Sequence, residues 1–293
     1  MIGAGLMGAQ IGAEYALAGF EVMLLNRTAA SAAAAGDRAR TAVRFLADNE
    51  LADYEAAERA LALIQPAIDL DSACRGAEVV VESIAEDLDQ KVAVLVRAAA
   101  AAPAAIIASN TSSIPIASIG ARIGAGERTI GTHYWNPPTL MPLVEVIPGR
   151  ETSPPVVTRM IELLAGMGKE PVTVADLPGF VWNRLQLSLI REAVSLVGKG
   201  AASPETIDLI LRHGLGRRWS QVGPFETMAL GGRETFAGVA RLLFGELDHE
   251  LSPEALLEVE PPPAEQLAAA RSRRDAALVR FLREDRAGRT KGS

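Results

Sequence analysis

The first eight residues constrain this chain more than any other part of it. Gly3-Ala4-Gly5-Leu6-Met7-Gly8 forms a G-x-G-x-x-G turn that runs straight into a helical stretch, Ala9 to Gly19, with an apolar run, Phe20 to Leu25, directly after it. A turn of this kind opening a helix is the phosphate cradle of a dinucleotide-binding unit. Gly3 permits the tight turn, Gly5 lets backbone N–H groups approach a pyrophosphate, and Gly8 lets the helix pack closely on the sheet. Leu6 and Met7 begin the helix, whose free N–H groups and positive dipole end favour phosphate. An apolar, glycine-rich start also fits a signal peptide or membrane helix, but no basic segment precedes it and Gln10 and Glu14 interrupt it. Only Met1 and Ile2 precede Gly3, whereas the first strand of such a fold lies mid-sheet and runs to about five residues. Either the natural start lies upstream or the central strand is unusually short.

Length and charge narrow the class. A chain of 293 residues accommodates two domains, each with its own core. The net charge is −7 and no dense Lys/Arg block precedes the short tail, which argues against nucleic acid as a partner. The single cysteine, Cys74, excludes an intrachain disulfide and a cysteine metal cluster, and suits a reducing cytoplasm. No apolar segment is long and clean enough to span a bilayer.

Through the first half, apolar runs alternate with helical periodicity. Strands are expected at Phe20–Leu25, Glu78–Glu82, Ala104–Ala108, Thr129–Tyr134, Leu143–Ile147 and Val172–Val174. Helices are expected at Ser31–Ala47, Tyr54–Ile64, Asp87–Ala101, Ile114–Ile119 and Val156–Gly166. This alternation predicts a doubly wound parallel sheet covered on both faces. After Asp176-Leu177-Pro178-Gly179 the periodicity is helical throughout. The expected organisation is a Rossmann-type α/β domain over residues 1–178 and a smaller all-α domain over residues 179–293. Pro261-Pro262-Pro263 breaks the chain before a last helix, and the end from Arg286 reads as frayed.

The chemistry concentrates in Gly131-Thr132-His133-Tyr134-Trp135-Asn136-Pro137-Pro138 and the following Pro142-Leu143-Val144-Glu145. His133 ends one strand and Glu145 lies on the next, so adjacent strands would bring the two together. A carboxylate beside an imidazole fixes the tautomer and stabilises the protonated ring. The plainer reading is a satisfied strand-end histidine. Ser109-Asn110-Thr111-Ser112-Ser113 follows a strand; Ser113 is expected to cap the next helix and Ser112 to face a ligand.

These pieces together resemble the L-3-hydroxyacyl-CoA dehydrogenase family, from Gly3 to about Leu230. The resemblance rests on the glycine turn, on Val80-Val81-Glu82-Ser83-Ile84-Ala85-Glu86 with Lys91, and on Ser109-Asn110-Thr111-Ser112-Ser113. It also rests on His133 with Asn136 and Glu145, on Pro178-Gly179-Phe180 with Asn183-Arg184, and on Gly223-Pro224-Phe225-Glu226. It implies His133 and Glu145 as the catalytic pair, Ser112, Asn136 and Asn183 as substrate and nicotinamide contacts, and Glu86 and Lys91 as cofactor contacts. It implies oxidation of a small hydroxyacyl substrate by a nicotinamide cofactor, without a metal, in a homodimer.

Two departures qualify this. The second strand ends in Asn26-Arg27-Thr28 rather than in the acidic residue that holds the ribose 2′-OH of NAD. Asn26 does not repel a phosphate, and Arg27 can pair with one, so NADP is expected to be accepted beside NAD. Arg27 stacking on adenine is the alternative. The active-site strand, with Tyr134-Trp135, Pro137-Pro138 and Met141-Pro142, looks nearer the lambda-crystallin and L-gulonate 3-dehydrogenase branch, whose substrates are free hydroxy acids. A glycine-rich Gly-Phe-Tyr segment of the family's C-terminus is missing, which puts CoA binding in doubt. Two other readings stay open: a beta-hydroxyacid dehydrogenase, for which no Lys-x-x-Asn appears in the second domain, and a non-catalytic dinucleotide holder of crystallin or sensor type.

Overall fold

The computed structural model describes residues 1–249 and 253–290. It divides into two compact units, Met1–Val181 with Glu265–Ser293, and Trp182–Ala264.

The first unit is the α/β unit. In chain order it contains α1 (Leu6–Leu17), β1 (Val22–Leu25), α2 (Ala29–Asp48), α3 (Tyr54–Leu63), β2 (Ile64–Ala67), α4 (Leu70–Cys74) and β3 (Val79–Glu82). These are followed by α5 (Leu88–Ala101), β4 (Ile106–Ser109), α6 (Ile116–Ile123), β5 (Thr129–Tyr134), β6 (Leu143–Pro148), α7 (Pro154–Gly166) and β7 (Glu170–Thr173). Strands β3 to β7 are neighbours in sequence order, and β1 pairs with β2. Ile2 joins the two sets through single parallel bridges to Leu25 and Glu82. The central strand is thus reduced to one bridging residue, held by Ile2 N–H to Val81 O at 2.8 Å and Ser83 N–H to Ile2 O at 2.8 Å. The glycine turn follows at once and lies at the edge where β3, β4 and β5 also end.

The sheet is not wholly parallel, as the alternation alone suggested. Strand β6 runs antiparallel to β5, and β7 is parallel to β6. The connection explains it: residues 135–142 are too few for a crossover between parallel strands, which takes a dozen or more. The reversal sets His133 directly opposite Glu145 in the ladder. Strand β2 was not expected; only its first residue, Ile64, was read, as the end of a helix. Gln65 and Pro66 disguise it, and Pro66 is tolerated because the strand forms the sheet's edge.

Two apolar layers cover the sheet. One centres on Ile11, Leu24, Val43, Ile130, Val144 and Leu164 beneath α1, α2, α3 and α7. The other centres on Leu95, Ile107, Ile116, Ile119 and Phe180 beneath α4, α5 and α6. A buried ion pair, Lys169 with Glu14 at 3.1 Å, braces α1 against the β5–β6 connection, where Lys169 Nζ also donates to Pro138 O at 2.8 Å.

The second unit holds α8 (Trp182–Gly198), α9 (Pro204–Ile210) with a π-helical turn at Leu211–Leu215, α10 (Gly216–Trp219), α11 (Pro224–Gly231), α12 (Arg233–Leu243) and α13 (Ala255–Glu258). Thr227 is the one buried residue among its described residues. The last helix, α14 (Ala264–Thr290), starts right after the three prolines and continues past Arg286, where the sequence read a frayed end; residues 291–293 lie outside the described residues. The sequence grouped this helix with the all-α domain, but its contacts are with the first unit. Leu278, Val279 and Leu282 form one helical stripe on Leu46, Leu51 and Leu140, and Arg283 and Arg286 donate to Asn49 O and Leu51 O.

Candidate active site

The three glycines of the turn do different work. Gly3 has φ +81°, and a Cβ there would lie 2.7 Å from Ser83 O. A Cβ on Gly8 would overlap the Gly3 carbonyl, so Gly8 serves the turn itself; the close approach of α1 to the sheet is made at Gly12, where a Cβ would lie 2.6 Å from Leu24 Cδ2. A Cβ on Gly5 would meet no protein atom within 4 Å, and no side chain caps the helix that starts at Leu6. The surface over Gly5 is an open cradle, faced by the uncapped N–H groups of Leu6, Met7 and Gly8, which is what a dinucleotide pyrophosphate requires.

At the end of β1, Asn26 Nδ2 donates to Ser31 O at 3.0 Å and to Ala4 O at 3.3 Å, tying the ribose end of the cradle to the glycine turn. Arg38, which the sequence did not single out, donates to the same Ala4 oxygen at 3.1 Å. Arg27 is exposed. Thr28 is occupied: it caps α2 through a reciprocal bond with Ser31.

A buried polar network supports the next strand ends. Glu82, fully buried, accepts from Ile84 N–H at 2.6 Å, Lys91 Nζ at 2.7 Å and Ser109 Oγ at 2.6 Å. Lys91 is 1% exposed, and its ammonium also lies 3.4 Å from Glu86 Oε2 and Ile84 O. Its ammonium is thus directed at protein oxygens. Glu86 Oε1 in turn accepts from Thr111 Oγ1 and from the backbone N–H of Ser112 and Ser113, at 2.6, 2.9 and 2.7 Å, and from Ser113 Oγ. Burial pushes the Glu86 carboxyl up, but the bonds from Thr111 and Ser113 and the Lys91 charge outweigh it and hold the group below the usual carboxylate range. Ser113 therefore does not cap α6. That task falls to Asp176, sixty residues on, whose two oxygens accept from Ile116 and Ala117 N–H at 2.8 Å each. Asn110 steadies the active-site strand by accepting from Tyr134 N–H at 2.9 Å.

His133 Nδ1 lies 2.8 Å from Glu145 Oε2, and both residues are buried. A carboxylate can only accept, so Nδ1–H is the donor and Nε2 is the ring's basic nitrogen. The second carboxylate oxygen, Oε1, accepts from Val181 N–H at 3.1 Å. The ring of Phe180 packs on the imidazole with centroids 5.6 Å apart. This arrangement can take up and return a proton at one defined atom. Of the other expected residues, Ser112 and Asn136 are exposed on the loops that follow β4 and β5, and Asn183 is the second residue of α8, in the second unit. Phe180, Val181, Glu82 and Asp176 were missed as site residues, although the Pro178-Gly179-Phe180 motif had marked the position of Phe180.

Residues 1–177 match the family described as 3-hydroxyacyl-CoA dehydrogenase, NAD-binding domain, and residues 179–292 match its C-terminal domain. Lambda-crystallin of Oryctolagus cuniculus is 32% identical over 301 residues, covering 97% of this chain and 94% of the crystallin. Mitochondrial hydroxyacyl-coenzyme A dehydrogenase of Homo sapiens is 35% identical over 241 residues, covering 80% of this chain and 76% of that enzyme. Among solved structures, 5-formyl-3-hydroxy-2-methylpyridine 4-carboxylic acid 5-dehydrogenase, described as an NAD⁺-dependent dismutase, superposes with a TM-score of 0.86 at 30% identity, covering 96% of this chain and 97% of its own. Among the described residues, no helix is long and apolar enough to cross a membrane.

Proposed function

This chain belongs to the 3-hydroxyacyl-CoA dehydrogenase family of NAD-dependent oxidoreductases, and from that premise we propose that it oxidises a small 3-hydroxyacyl substrate with His133 and Glu145 as its catalytic dyad. The observation that carries this reading is the 2.8 Å contact between His133 Nδ1 and Glu145, which leaves Nε2 as the basic atom at the same sheet edge as the glycine cradle. When bound, the nicotinamide supplies the hydride acceptor. His133 Nε2 takes the proton of the substrate's 3-hydroxyl, and in the reverse direction returns it. Glu145 keeps Nδ1 protonated and offsets the charge of the imidazolium. General-base catalysis of this kind contributes roughly 10²–10⁴-fold. Ser112, Asn136 and Asn183 orient the acyl group and the nicotinamide, and Glu86, held by Lys91, shapes the loop that carries Ser112.

The substrate is a 3-hydroxy acid, free or as its CoA thioester. The Pro-rich active-site strand and the similarity to a pyridine-carboxylate dehydrogenase favour the free acid. NADP is accepted beside NAD: Asn26 presents no carboxylate to a 2′-phosphate, and the exposed Arg27, with Arg38 nearby on Ala4, supplies positive charge. The second unit forms a homodimer interface, because its apolar side chains are otherwise left in water. The lone thiol of Cys74 agrees with a cytoplasmic location.

The test is a screen of free 3-hydroxy acids against their CoA thioesters with NAD and NADP, repeated with His133→Ala. The expected result is a loss of about 10²–10⁴-fold in kcat with the dissociation constant for NAD retained. Turnover unchanged by the substitution overturns the dyad. Cofactor binding with no turnover of any substrate would favour a dinucleotide holder, the reading that the similarity to lambda-crystallin keeps open.

A further inference from the structure

We propose that Phe180 is a positioning residue, which together with the backbone of Val181 fixes the orientation of both members of the dyad. The inference rests on the dyad reading above and extends it to a segment that supplies no reacting atom.

The segment is anchored at its start. Val174 N–H donates to Val146 O at 3.0 Å, and Asp176 accepts from the first two N–H groups of α6. The chain then makes a turn few sequences allow. Gly179 has φ +77° and Phe180 has φ +52°, two left-handed residues in succession. Glycine enters that region freely, whereas an L side chain does so at a steric cost. Glu50 is the other described non-glycine residue there, and its side chain is exposed. Phe180 is the opposite case, since its side chain is wholly buried. A strained conformation persists where the surroundings over-determine it, and such positions cluster at functional sites.

The turn has two consequences for the dyad. It directs the Phe180 ring onto His133, at 5.6 Å between centroids and 55° between planes. It also aims the next N–H, that of Val181, at Glu145 Oε1 at 3.1 Å. Glu145 is thereby gripped at both oxygens, by the imidazole on one and by the backbone on the other. The imidazole is fixed at Nδ1 by Glu145 and across its face by Phe180. Two adjacent residues thus restrain the rotation of both partners and exclude water from one side of their hydrogen bond. The competing view is that Phe180 only fills the apolar layer around Ile116 and Ile147, to which it also belongs. A filler needs volume, whereas a positioning residue needs this ring in this orientation.

Phe180→Leu in the full chain separates the two, because it keeps most of the volume. Thermal unfolding, the dissociation constant for NAD, kcat and KM, and the pH profile of kcat/KM are measured beside wild type and His133→Ala. The expected result is a folded protein that binds NAD as wild type does, with kcat lowered about 10–100-fold, the range a misplacement of about 1 Å produces. The pH profile is the second readout, because a changed His133–Glu145 hydrogen bond alters it and a change of packing alone does not. Phe180→Tyr, which keeps the ring, should restore kcat and the profile toward wild type. If Phe180→Leu lowers only the melting temperature and leaves kcat and the profile in place, Phe180 is a core residue and the inference falls while the dyad stands. If His133→Ala retains turnover, the dyad and the inference fall together.

Discussion

The two units differ most in what they bury. In the first, the side chains around the candidate site are sealed: Glu82, Lys91, His133, Glu145 and Phe180 are each less than 5% exposed. In the second, large apolar residues stand in water, among them Phe225 at 80%, Leu230 and Leu242 at 77% and Leu257 at 86%. The first unit completes its own core, and its buried carboxylates Glu14, Glu82 and Glu145 each face a cationic or imidazole partner, Lys169, Lys91 and His133. The second has many apolar faces and almost nothing between them, the signature of a surface that is finished by another chain. On the proposed reading, proton transfer belongs to the self-sufficient unit and association to the other.

Breaking the seal should have the largest effect. Lys91→Met leaves Glu82 buried without its cation, and removing one partner of a buried pair costs about 3–5 kcal/mol. Urea denaturation of the first unit's transition would register this loss. A loss below 1 kcal/mol would mean that the network is not what holds the strand ends.

The cradle offers a sharper contrast between adjacent positions. Gly8→Ala forces a Cβ against the Gly3 carbonyl, and overpacking of this kind costs about 1–3 kcal/mol. Gly5→Ala meets open space and should leave the melting temperature near wild type while weakening NAD binding in a fluorescence titration. Equal effects of the two on stability would refute the division of labour between them.

On the other side of the comparison, Leu242→Asp should leave the first unit untouched and loosen association. A contributing interface residue is worth more than about 1 kcal/mol, roughly fivefold in dissociation constant. Sedimentation velocity across a concentration series reads it directly. A wild-type protein that is monomeric at all concentrations would remove the contrast on which this rests.

What the sequence made legible follows the same line. The glycine turn, the strand-end histidine and the carboxylate on the next strand are local patterns, and local backbone rules carry them. The antiparallel β6 was also within reach, since eight residues between Tyr134 and Leu143 rule out a parallel crossover. The partners at long separation were not legible. Asp176 caps a helix sixty residues earlier, Ser109 meets Glu82, and Lys169 meets Glu14 across most of the unit. Nothing in the residue types fixes such pairs before the sheet is assembled. Lys91 shows the limit most clearly: the resemblance marked it, but its burial against two carboxylates, rather than exposure to a ligand, is a tertiary fact. That the last helix packs on the first unit was not legible for a related reason, since its apolar stripe at Leu278, Val279 and Leu282 does not say which unit it will meet.

The smallest expected effect tests the boundary between sealed and open. Glu86 is at once part of the network and 36% exposed at its side chain, so solvent screens its interactions more than those of Glu82. Burial raises its pKa, and the hydrogen bonds from Thr111 and Ser113 with the Lys91 charge more than reverse this, so the folded-state value lies below that of the unfolded chain. A depressed carboxylate contributes stability that is fully present above the unfolded-state pKa and is lost as pH falls through the folded-state pKa. Wild type should therefore lose stability on acidification through the carboxylate range more steeply than Glu86→Gln, which no longer titrates there. Near neutral pH the variant should be the less stable of the two, and the gap should narrow as the pH falls. Melting curves taken at several pH values from neutral downward measure both slopes. Parallel slopes would mean that Glu86 is anchored no more firmly in the folded unit than in the unfolded chain, and the loop carrying Ser112 would then have to be held by its backbone alone.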